Sequence, residues 1–403
     1  MSNELSDRTI ALVKATVPVL ETHGLAITQR MYERMFQNEA IRDLFNQSHH
    51  GETGSQPKAL ASAILAYARN IEGLAALAPA VERISQKHVG LNILPEHYPY
   101  VADALLGAIK DVLGDAATEE ILAAWGEAYW YLAEVLIARE KTIYTSLAAA
   151  PGGWTGWRDF RVEGKERESD IITSFLLRPA DGAPVLRHRP GQYLTFWLDI
   201  PGQHPLKRNY SISSAPNDAT YRISVKREPQ GVASGWLHER AALGTVLKVA
   251  PPAGEFFLRQ AQVRPVVLVS GGVGLTPLMS MLETIALRPG LSAHYVHGTR
   301  DGSTHAMGPR VRELAARSDG RIVATTFYEA PRPEDRSGQH YDEQGRISVD
   351  WLSRNTPMAE ADYFLCGPKP FLRAFVSGLA RAGVAADRIH YEFFGPADEL
   401  LAA

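Results

Sequence analysis

The chain has 403 residues, 45% of them hydrophobic and 22% charged, as in a folded, water-soluble protein of roughly two or three domains. Its 42 Lys and Arg and 45 Asp and Glu give a net charge of -3, which argues against nucleic acid or an anionic membrane as partner. One cysteine excludes an internal disulfide and a thiolate zinc site. Because Met1–Leu20 lacks the apolar core of a signal peptide and the sequence has no run of 18 apolar residues, we expect a cytoplasmic protein without a membrane anchor.

The first third of the chain predicts an all-helical domain. Residues 1–150 carry a net charge of -6 and residues 151–403 a net charge of +3. Apolar side chains recur in the first part every three or four positions, as at Ile121, Trp125 and Tyr129. This spacing predicts helices over 25–37, 58–71, 74–92, 95–113 and 118–147, the last with Thr118 as its N-cap.

The turn-rich stretch 151–156 predicts a domain boundary, after which the hydrophobic period changes. Short β-rich runs over 192–198, 221–226 and 245–249 predict a small antiparallel barrel that extends to about residue 260. Alternating strands and helices then predict a parallel α/β sheet, with strands at 266–269, 293–297, 321–327 and 363–366, helices at 277–287 and 370–382, and an exposed loop at 329–346. We therefore expect three domains, at 1–148, 149–262 and 263–403.

A glycine-rich turn follows the first strand of the predicted α/β domain. Gly271, Gly272 and Gly274 lack a Cβ, so a phosphate can approach the main chain, and the helix that begins near Pro277 adds partial positive charge. The turn is therefore a candidate site for a dinucleotide pyrophosphate. The alternative is that the glycines serve only close packing of strand on helix.

Two further segments are candidate phosphate or ring sites. In an extended segment Arg208 and Tyr210 share a face, so a guanidinium for a diphosphate lies beside an aromatic ring. The alternative is an exposed arginine beside a core tyrosine. Residues 231–238 look like a helix start with Ser234 as its cap, suited to phosphate or simply an ordinary capped helix.

Residues 155–403 resemble the ferredoxin reductase family, in which a flavin-binding barrel precedes a nicotinamide-binding domain. Four motifs in the family's order carry the resemblance: 208–211, 272–277, 366–368 and 392–396. It implies FAD and either NADH or NADPH as cofactors, with the choice between the two left open. It assigns Tyr193, Arg208, Asn209, Tyr210 and Ser211 to FAD, Gly272, Val273, Gly274, Leu275, Thr276 and Pro277 to the pyridine nucleotide, Cys366, Gly367 and Pro368 to the nicotinamide side, and Phe393, Phe394, Gly395 and Pro396 to the flavin ring. Cys366 could instead be inert packing.

In the helical domain His88 projects from an apolar face that it shares with Ile84 and Leu91. Most such histidines belong to the core, but Tyr98 and Glu140 lie on other predicted helices. A carboxylate behind the imidazole would accept its second N–H and make the ring a stronger iron ligand. Alternatively, Glu140 is a solvated carboxylate paired with Lys141 or Arg139, and Tyr98 is a packed aromatic.

Residues 1–148, with Tyr32, Met35 and Phe36 on one helical face and Phe45 after it, resemble the haem domain of flavohaemoglobins. The fusion to a flavin reductase makes that family the match for the whole chain. The resemblance implies haem b with His88 as the iron ligand, supported by Tyr98 and Glu140. It also implies that Phe45 packs on the haem, that Tyr32, Gln56 and Leu60 line the opposite side, and that Lys87 and Glu392 tune the haem and flavin potentials. The segment between residues 37 and 59 differs slightly in length from the family pattern, and the assignment of Gln56 depends on how these shifts are placed. We expect His49 and His50 to be solvated loop residues.

The resemblance implies a nitric oxide dioxygenase in which NAD(P)H reduces FAD, FAD reduces the iron, and nitric oxide and O2 become nitrate. Flavin is needed because nicotinamide donates two electrons as hydride whereas iron accepts one at a time. The alternatives are an O2 or nitric oxide carrier or sensor whose reductase only keeps the iron ferrous, and a diaphorase in which haem is incidental. We expect a monomer with small-molecule partners, and a lipid in the haem pocket is a further candidate.

Overall fold

A computed structural model gives the structure of the protein, which is described for residues 5–44 and 55–394. The chain divides into two compact units. The first comprises residues 1–149, 201–207 and 396–403, and the second comprises residues 150–200 and 208–395.

The first unit is helical, as the apolar spacing predicts. Its α-helices are α1 (Asp7–Ala15), α2 (Val17–Met35), α3 (Glu39–Arg42), α4 (Ser55–Arg69), α5 (Ala78–Gly90), α6 (Tyr98–Leu113) and α7 (Glu119–Ala149). The apolar spacing did not predict α1, whose N-cap is Ser6; the Ser6 hydroxyl accepts from Thr9 N at 3.1 Å. The predicted helix at 25–37 begins eight residues after α2 does, because Gly24 interrupts the apolar spacing before Leu25, although Pro18 suits a first helical turn.

A core of small and large apolar side chains holds α1, α2, α4, α6 and α7 together, with Ile27, Met31, Ala108 and Trp125 fully or nearly buried. α7 is long and apolar enough to cross a bilayer, as is the bent pair formed by α1 and α2. Core helices of globular domains meet the same test, and α7 buries Trp125, Ala128 and Leu136 within the described part of this unit.

The second unit contains two six-stranded sheets. The first consists of β1 (Arg158–Arg167), β2 (Ile172–Pro179), β3 (Tyr193–Leu198), β4 (Leu206–Ser211, which begins in the first unit), β5 (Tyr221–Lys226) and β6 (Val246–Val249), in the order β4-β3-β6-β1-β2-β5. β1 pairs antiparallel with β2 and β6, and β2 with β5. A bridge between Ile212 and Ile223 joins the two ends of this order, so the sheet closes into the predicted barrel.

Helix α8 (Val232–Glu239) follows β5. The second sheet is parallel, in the order β10-β9-β8-β7-β11-β12. Its strands are β7 (Val266–Gly271), β8 (Ala293–Thr299), β9 (Ile322–Tyr328), β10 (Glu343–Gln344), β11 (Asp362–Cys366) and β12 (Ile389–Glu392), and its helices are α9 (Leu275–Ala286), α10 (Gly308–Ala316), α11 (Val349–Asn355) and α12 (Lys369–Arg381). The order reverses between β7 and β11, and ligands bind open α/β sheets outside the carboxyl ends of strands at such a point. The glycine turn and Cys366 both lie there. The loop predicted at 329–346 is largely irregular but contributes the short strand β10.

Candidate functional site

Three side chains from α5, α6 and α7 meet in the helical unit. Nδ1 of His88 lies 2.7 Å from Oε1 of Glu140 and 3.1 Å from the hydroxyl of Tyr98, and that hydroxyl donates to the same carboxylate oxygen at 2.7 Å. Because an ionised carboxylate oxygen only accepts hydrogen bonds, Nδ1 carries the ring proton and donates it to Glu140. Nε2 is therefore the nitrogen available to a metal.

Burial fixes this arrangement. Glu140 is 2% exposed and Tyr98 5%. The Tyr98 ring is also held through its backbone, since the hydroxyl of Tyr129 donates to the Tyr98 carbonyl at 2.7 Å. Burial, and after it the carboxylate of Glu140, raise the pKa of the Tyr98 hydroxyl, so it stays protonated and remains a donor. Glu140 is thus not the solvated carboxylate of the alternative reading, and Arg139 bonds Glu82 instead, at 2.6 and 3.0 Å.

The donor set fits haem. A neutral imidazole that gives one N–H to a carboxylate is oriented and made more electron-donating, as an iron ligand requires. Ile84 and Leu91, which share the face of His88, pack against the apolar cluster of Ile93, Tyr98 and Leu136. Glu140 and Tyr98 thus bond the Nδ1 side of the ring, and the apolar residues Ile84 and Leu91 lie on the same helical face as His88.

The residues expected on the opposite side of the haem are only partly described. Tyr32 on α2 and Leu60 on α4 both pack against the main helical core, and the Tyr32 ring lies 5.6 Å from that of Phe36. Burial raises the pKa of Tyr32 to about 12, so its hydroxyl is protonated at neutral pH and can donate. Gln56 is half-buried on α4. Phe45, His49 and His50 lie outside the described residues, and Lys87 is exposed on α5.

The expected flavin residues lie on β3 and β4 of the barrel. Burial lowers the pKa of Arg208 and raises that of Tyr210 to about 12, and each acts electrostatically on the other. Arg208 and Tyr210 are both half-buried, as expected for residues two apart on a strand, whereas Asn209 is exposed and Ser211 is buried. The Tyr210 ring lies edge-on to Phe196 at 5.6 Å. On β3, the Tyr193 ring is close to Gly254, where a Cβ would come within 3.0 Å of it.

Ser234 was wrongly predicted to cap its helix. Gly231 is the N-cap of α8, and Ser234 lies within the first turn and is buried. Its hydroxyl accepts from Glu228 N at 3.1 Å and donates to Gly231 O at 3.2 Å. A serine in the first turn can close the preceding loop in this way, and sequence alone does not distinguish that use from capping.

The glycine turn lies where the sequence predicts it. Gly272–Gly274 form one 3-10 turn between β7 and α9, and Thr276 Oγ1 donates to Val273 O at 3.1 Å. Gly272 has a φ of +55°, and a Cβ there would meet nothing within 4 Å. At Gly274, by contrast, a Cβ would lie 2.2 Å from the carbonyl oxygen of Cys366. One glycine therefore serves packing while the other leaves an open backbone suited to phosphate.

Residues from both sheets meet near Cys366. Its thiol is fully buried, and burial together with the carboxylate of Glu392 raises the pKa of the thiol, so it is no thiolate nucleophile. Burial and then Glu392 and Glu255 raise the pKa of Tyr193. Glu392 is thus electrostatically coupled to a barrel residue and to a strand-end residue of the α/β sheet.

The other residues predicted near the nicotinamide and the flavin ring lie as follows. Gly367 lies against the Phe371 ring, and Pro368 is the N-cap of α12. Phe393 is half-buried and Phe394 is 47% exposed, while Gly395 and Pro396 lie outside the described residues.

Lys207 is a buried site residue that the sequence did not predict. This side chain is 2% exposed, and its Nζ donates to the carbonyls of Leu44 and Leu91, each at 3.2 Å. Burial lowers its pKa to about 8. Lys207 belongs with the helical unit although Arg208 begins the next part of the second unit. No sequence pattern indicates this role for Lys207, because its partners are main-chain carbonyls, which every residue carries.

Models of three protein families match successive parts of the chain. A model of the globin family matches residues 29–136, one of the oxidoreductase FAD-binding domain matches residues 159–258, and one of the oxidoreductase NAD-binding domain matches residues 268–377. Fold and site thus define a globin joined to a flavin- and pyridine-nucleotide-dependent oxidoreductase.

Relatives of known name match over their full length. The flavohemoprotein of Xylella fastidiosa strain 9a5c is 53% identical over 404 residues, with all of both chains covered, and that of Rhizobium meliloti is 44% identical over 97% of this chain and 98% of its own. The chain belongs to the flavohaemoglobin family.

Two solved structures support the assignment. The crystal structure of the flavohemoglobin of Malassezia yamatoensis, which contains bound FAD and haem, has a TM-score of 0.83 and 26% identity, and covers 97% of this chain and 100% of that one. The flavohem-like FAD/NAD-binding domain of the nitric oxide dioxygenase of Vibrio cholerae has a TM-score of 0.54 and 36% identity, covering 59% of this chain and 99% of that one.

Proposed function

We propose that this protein is an NAD(P)H-dependent nitric oxide dioxygenase that consumes nitric oxide and O2 and forms nitrate. The observation that carries the proposal is the bond of 2.7 Å between His88 and Glu140 in a chain that also holds a flavin and nucleotide reductase. A carboxylate behind the iron ligand suits oxygen activation, because it increases electron donation to the metal. The Vibrio cholerae protein whose reductase part resembles this one is named a nitric oxide dioxygenase.

In this proposal haem b, FAD and NAD(P)H supply the redox chemistry when bound, and the chain positions and tunes them. Nε2 of His88 is the iron ligand, Glu140 holds its ring in one tautomer, and Tyr98 supports Glu140. Tyr32 offers a protonated hydroxyl on the opposite side, where a donor stabilises negative charge that develops on a bound diatomic molecule. Gln56 and Leu60 are proposed to line the same side as Tyr32, and Phe45 is proposed to pack on the haem.

For the reductase domains, proposed at 149–262 and 263–403, we assign Arg208 to the FAD diphosphate and the rings of Tyr193 and Tyr210 to flavin packing. The fork of a guanidinium suits a diphosphate. The open backbone at Gly272 and the start of α9 are assigned to the pyrophosphate of NAD(P)H. The remaining proposed contacts are Asn209, Ser211 and Ser234 for FAD, 273–277 for the nucleotide, 366–368 for the nicotinamide and 393–396 for the flavin ring.

Other expectations complete the proposal. Lys87 and Glu392 are proposed to tune the haem and flavin potentials. A cytoplasmic location is expected, because the lone cysteine is a buried thiol and NAD(P)H is an intracellular reductant. The protein is also expected to be a monomer. Sedimentation of the purified protein tests the oligomeric state.

Replacement of the iron ligand tests the activity. In His88→Ala, nitric oxide consumption should vanish while NADH-driven reduction of a dye survives, because the flavin and nucleotide residues are untouched. In the unaltered protein in air, added nitric oxide should accelerate NADH oxidation with one nitrate formed per nitric oxide. If added nitric oxide neither accelerates NADH oxidation nor yields nitrate, the protein is a carrier or sensor with an attached reductase. If His88→Ala still consumes nitric oxide, haem is incidental.

A further inference from the structure

The loop that follows β4 is bonded to the helix that follows the glycine turn. Its residues 213–215 come directly after the strand assigned to flavin, and α9 begins directly after the turn assigned to the nucleotide. Both lie in the second unit. The bonds between them are formed by Glu283 and Ser280 on α9, and by His188 and Arg222 of the barrel.

Glu283 is the centre of this network. It is 8% exposed, its Oε2 accepts from Ala215 N at 2.9 Å, and its Oε1 accepts from Arg222 Nη2 at 3.1 Å. Arg222 also donates to the backbone oxygen of Ser213 through the same nitrogen, and its Nε donates to Ser213 Oγ at 3.2 Å. Arg310 on α10 is the third donor to this carboxylate and the second to Oε1, at 3.3 Å. One carboxylate therefore joins two points of the flavin barrel to two helices of the nucleotide domain.

A second set of bonds lies one helical turn earlier on α9. Ser280 Oγ donates to Ser214 O at 2.7 Å, and Nε2 of His188 lies 3.0 Å from the same carbonyl and 3.1 Å from Ser280 Oγ. His188 is 4% exposed and Ser280 fully buried. Ser213, Ser214 and Ala215 are thus each bonded, directly or through Arg222, to α9.

We propose that Glu283 is a positioning residue for hydride transfer, which holds α9 at a fixed distance from the flavin strand. The inference rests on the proposed assignment of residues 208–211 to FAD and 272–277 to NAD(P)H. Hydride transfer requires reacting atoms about 3–3.5 Å apart, and a misplacement of about 1 Å can cost on the order of a hundredfold in rate. Glu283 lies eight residues after Leu275, about 12 Å along the helix, so a tilt there moves the nucleotide end of α9.

The test variant is Glu283→Gln in the full-length protein. Glutamine has the same shape, but when its oxygen accepts from Ala215 its amide group presents hydrogens to the donors of Arg222. One side of the network is therefore lost. The matched control is Glu313→Gln, because Glu313 accepts from Arg310 at 2.8 Å on α10 and its side chain is 46% exposed. Among the described residues the Glu313 carboxylate bonds Arg310 and Arg317 and no residue of the barrel.

Anaerobic flavin reduction by NADH is followed by stopped flow, so the haem reaction with nitric oxide does not enter. In Glu283→Gln the rate at saturating NADH should fall about tenfold or more while the half-saturating NADH concentration changes less than about threefold. NADH deuterated at the transferred position should then slow reduction by a larger factor than in the unaltered protein. The long-wavelength charge-transfer absorption of reduced flavin with NAD+ should weaken, because it reports ring stacking rather than turnover. Glu313→Gln should match the unaltered protein in all three measurements.

Amide hydrogen exchange gives a measurement without nucleotide. The amides of residues 213–215 should exchange at least about tenfold faster in Glu283→Gln than in Glu313→Gln. If Glu283→Gln has a lower unfolding temperature but unchanged reduction rate and charge-transfer absorption, Glu283 is structural only and the proposal is overturned. Equal slowing in Glu313→Gln overturns it too.

If Glu283→Gln does not fold, Ser280→Ala takes its place, since it removes one bond to Ser214 O and leaves that of His188. Ser280→Ala should also slow flavin reduction by NADH, and an unchanged rate would overturn the proposal. Failure of the proposed function looks different: flavin reduction by NADH would be normal in the unaltered protein and nitric oxide would not be consumed.

Discussion

His88 and Glu140 lie 52 positions apart in sequence, yet Nδ1 of one is 2.7 Å from Oε1 of the other. The carboxylate is 2% exposed and also accepts from Tyr98, so it is held from two sides. Such a buried acceptor fixes the tautomer and orientation of the imidazole before any ligand arrives.

Glu140→Gln should keep haem but slow turnover. An amide oxygen accepts the Nδ1 proton more weakly than a carboxylate does, so electron donation from the imidazole falls, and nitric oxide consumption should fall about tenfold to a hundredfold. Resonance Raman spectra of the ferrous protein should show a lower iron–histidine stretching frequency. Glu134→Gln, at an exposed position on the same helix, is the control. Unchanged turnover with an unchanged frequency would remove Glu140 from the mechanism.

Arg208→Ala should weaken FAD retention. Loss of a charge-assisted hydrogen bond costs about 1.5–3 kcal/mol, which corresponds to an FAD dissociation constant roughly ten to more than a hundred times higher. Arg208→Lys should recover only part of the affinity, because an ammonium lacks the guanidinium fork. Titration of the flavin-free protein with FAD gives the constants, and Arg161→Ala, at an exposed position on β1, serves for comparison. A variant that purifies with full flavin contradicts the assignment.

Gly272→Ala should weaken nucleotide binding more than it weakens the fold. The φ of +55° disfavours a side chain by about 1–2 kcal/mol, but the new methyl meets no protein atom within 4 Å. It would instead occupy the face offered to the pyrophosphate. We expect the NAD+ dissociation constant to rise at least about tenfold. Gly320→Ala, with a φ of +78° and equally open space, should cost similar stability and leave NAD+ binding intact. Equal NAD+ affinities in the two variants would refute the site.

Acid should destabilise the second unit through His188. Burial lowers its pKa from the ordinary 6.5 to about 4. Between these values the unfolded chain binds a proton that the folded chain does not, so the free energy of unfolding falls as the pH drops below about 6.5 and levels off below about 4. From pH 8 to pH 5 this one group contributes a loss of about 2 kcal/mol.

His188→Gln removes that titration and keeps a donor for Ser214 O. The loss of stability between pH 8 and pH 5, measured by urea unfolding followed by fluorescence and by hydrogen exchange of the second unit, should therefore be smaller in the variant. The alkaline end of the comparison is insensitive to His188, since both states are then neutral at that position. Parallel losses in the two proteins would mean that His188 is not the titrating group.

Local patterns carried most of the fold. The period of apolar residues predicted helices α4 to α7 to within a few residues, and the observed strand β5 has the bounds predicted for it. The glycine turn was predictable because its requirement is a property of the main chain, which needs an absent Cβ and a helix start. α1 escaped prediction because it is only nine residues long and its cap is a single serine.

The site residues divide along the same line. Sequence determined which groups were available: an imidazole on an apolar face, a carboxylate among apolar neighbours, and a guanidinium in an extended segment. Only the tertiary structure decided that His88, Tyr98 and Glu140 meet on three helices, that Ser234 closes a loop rather than caps α8, and that Glu283 joins the barrel to α9. Periodicity encodes which way a side chain faces along its own element, whereas a hydrogen bond between distant elements depends on how their faces are brought together.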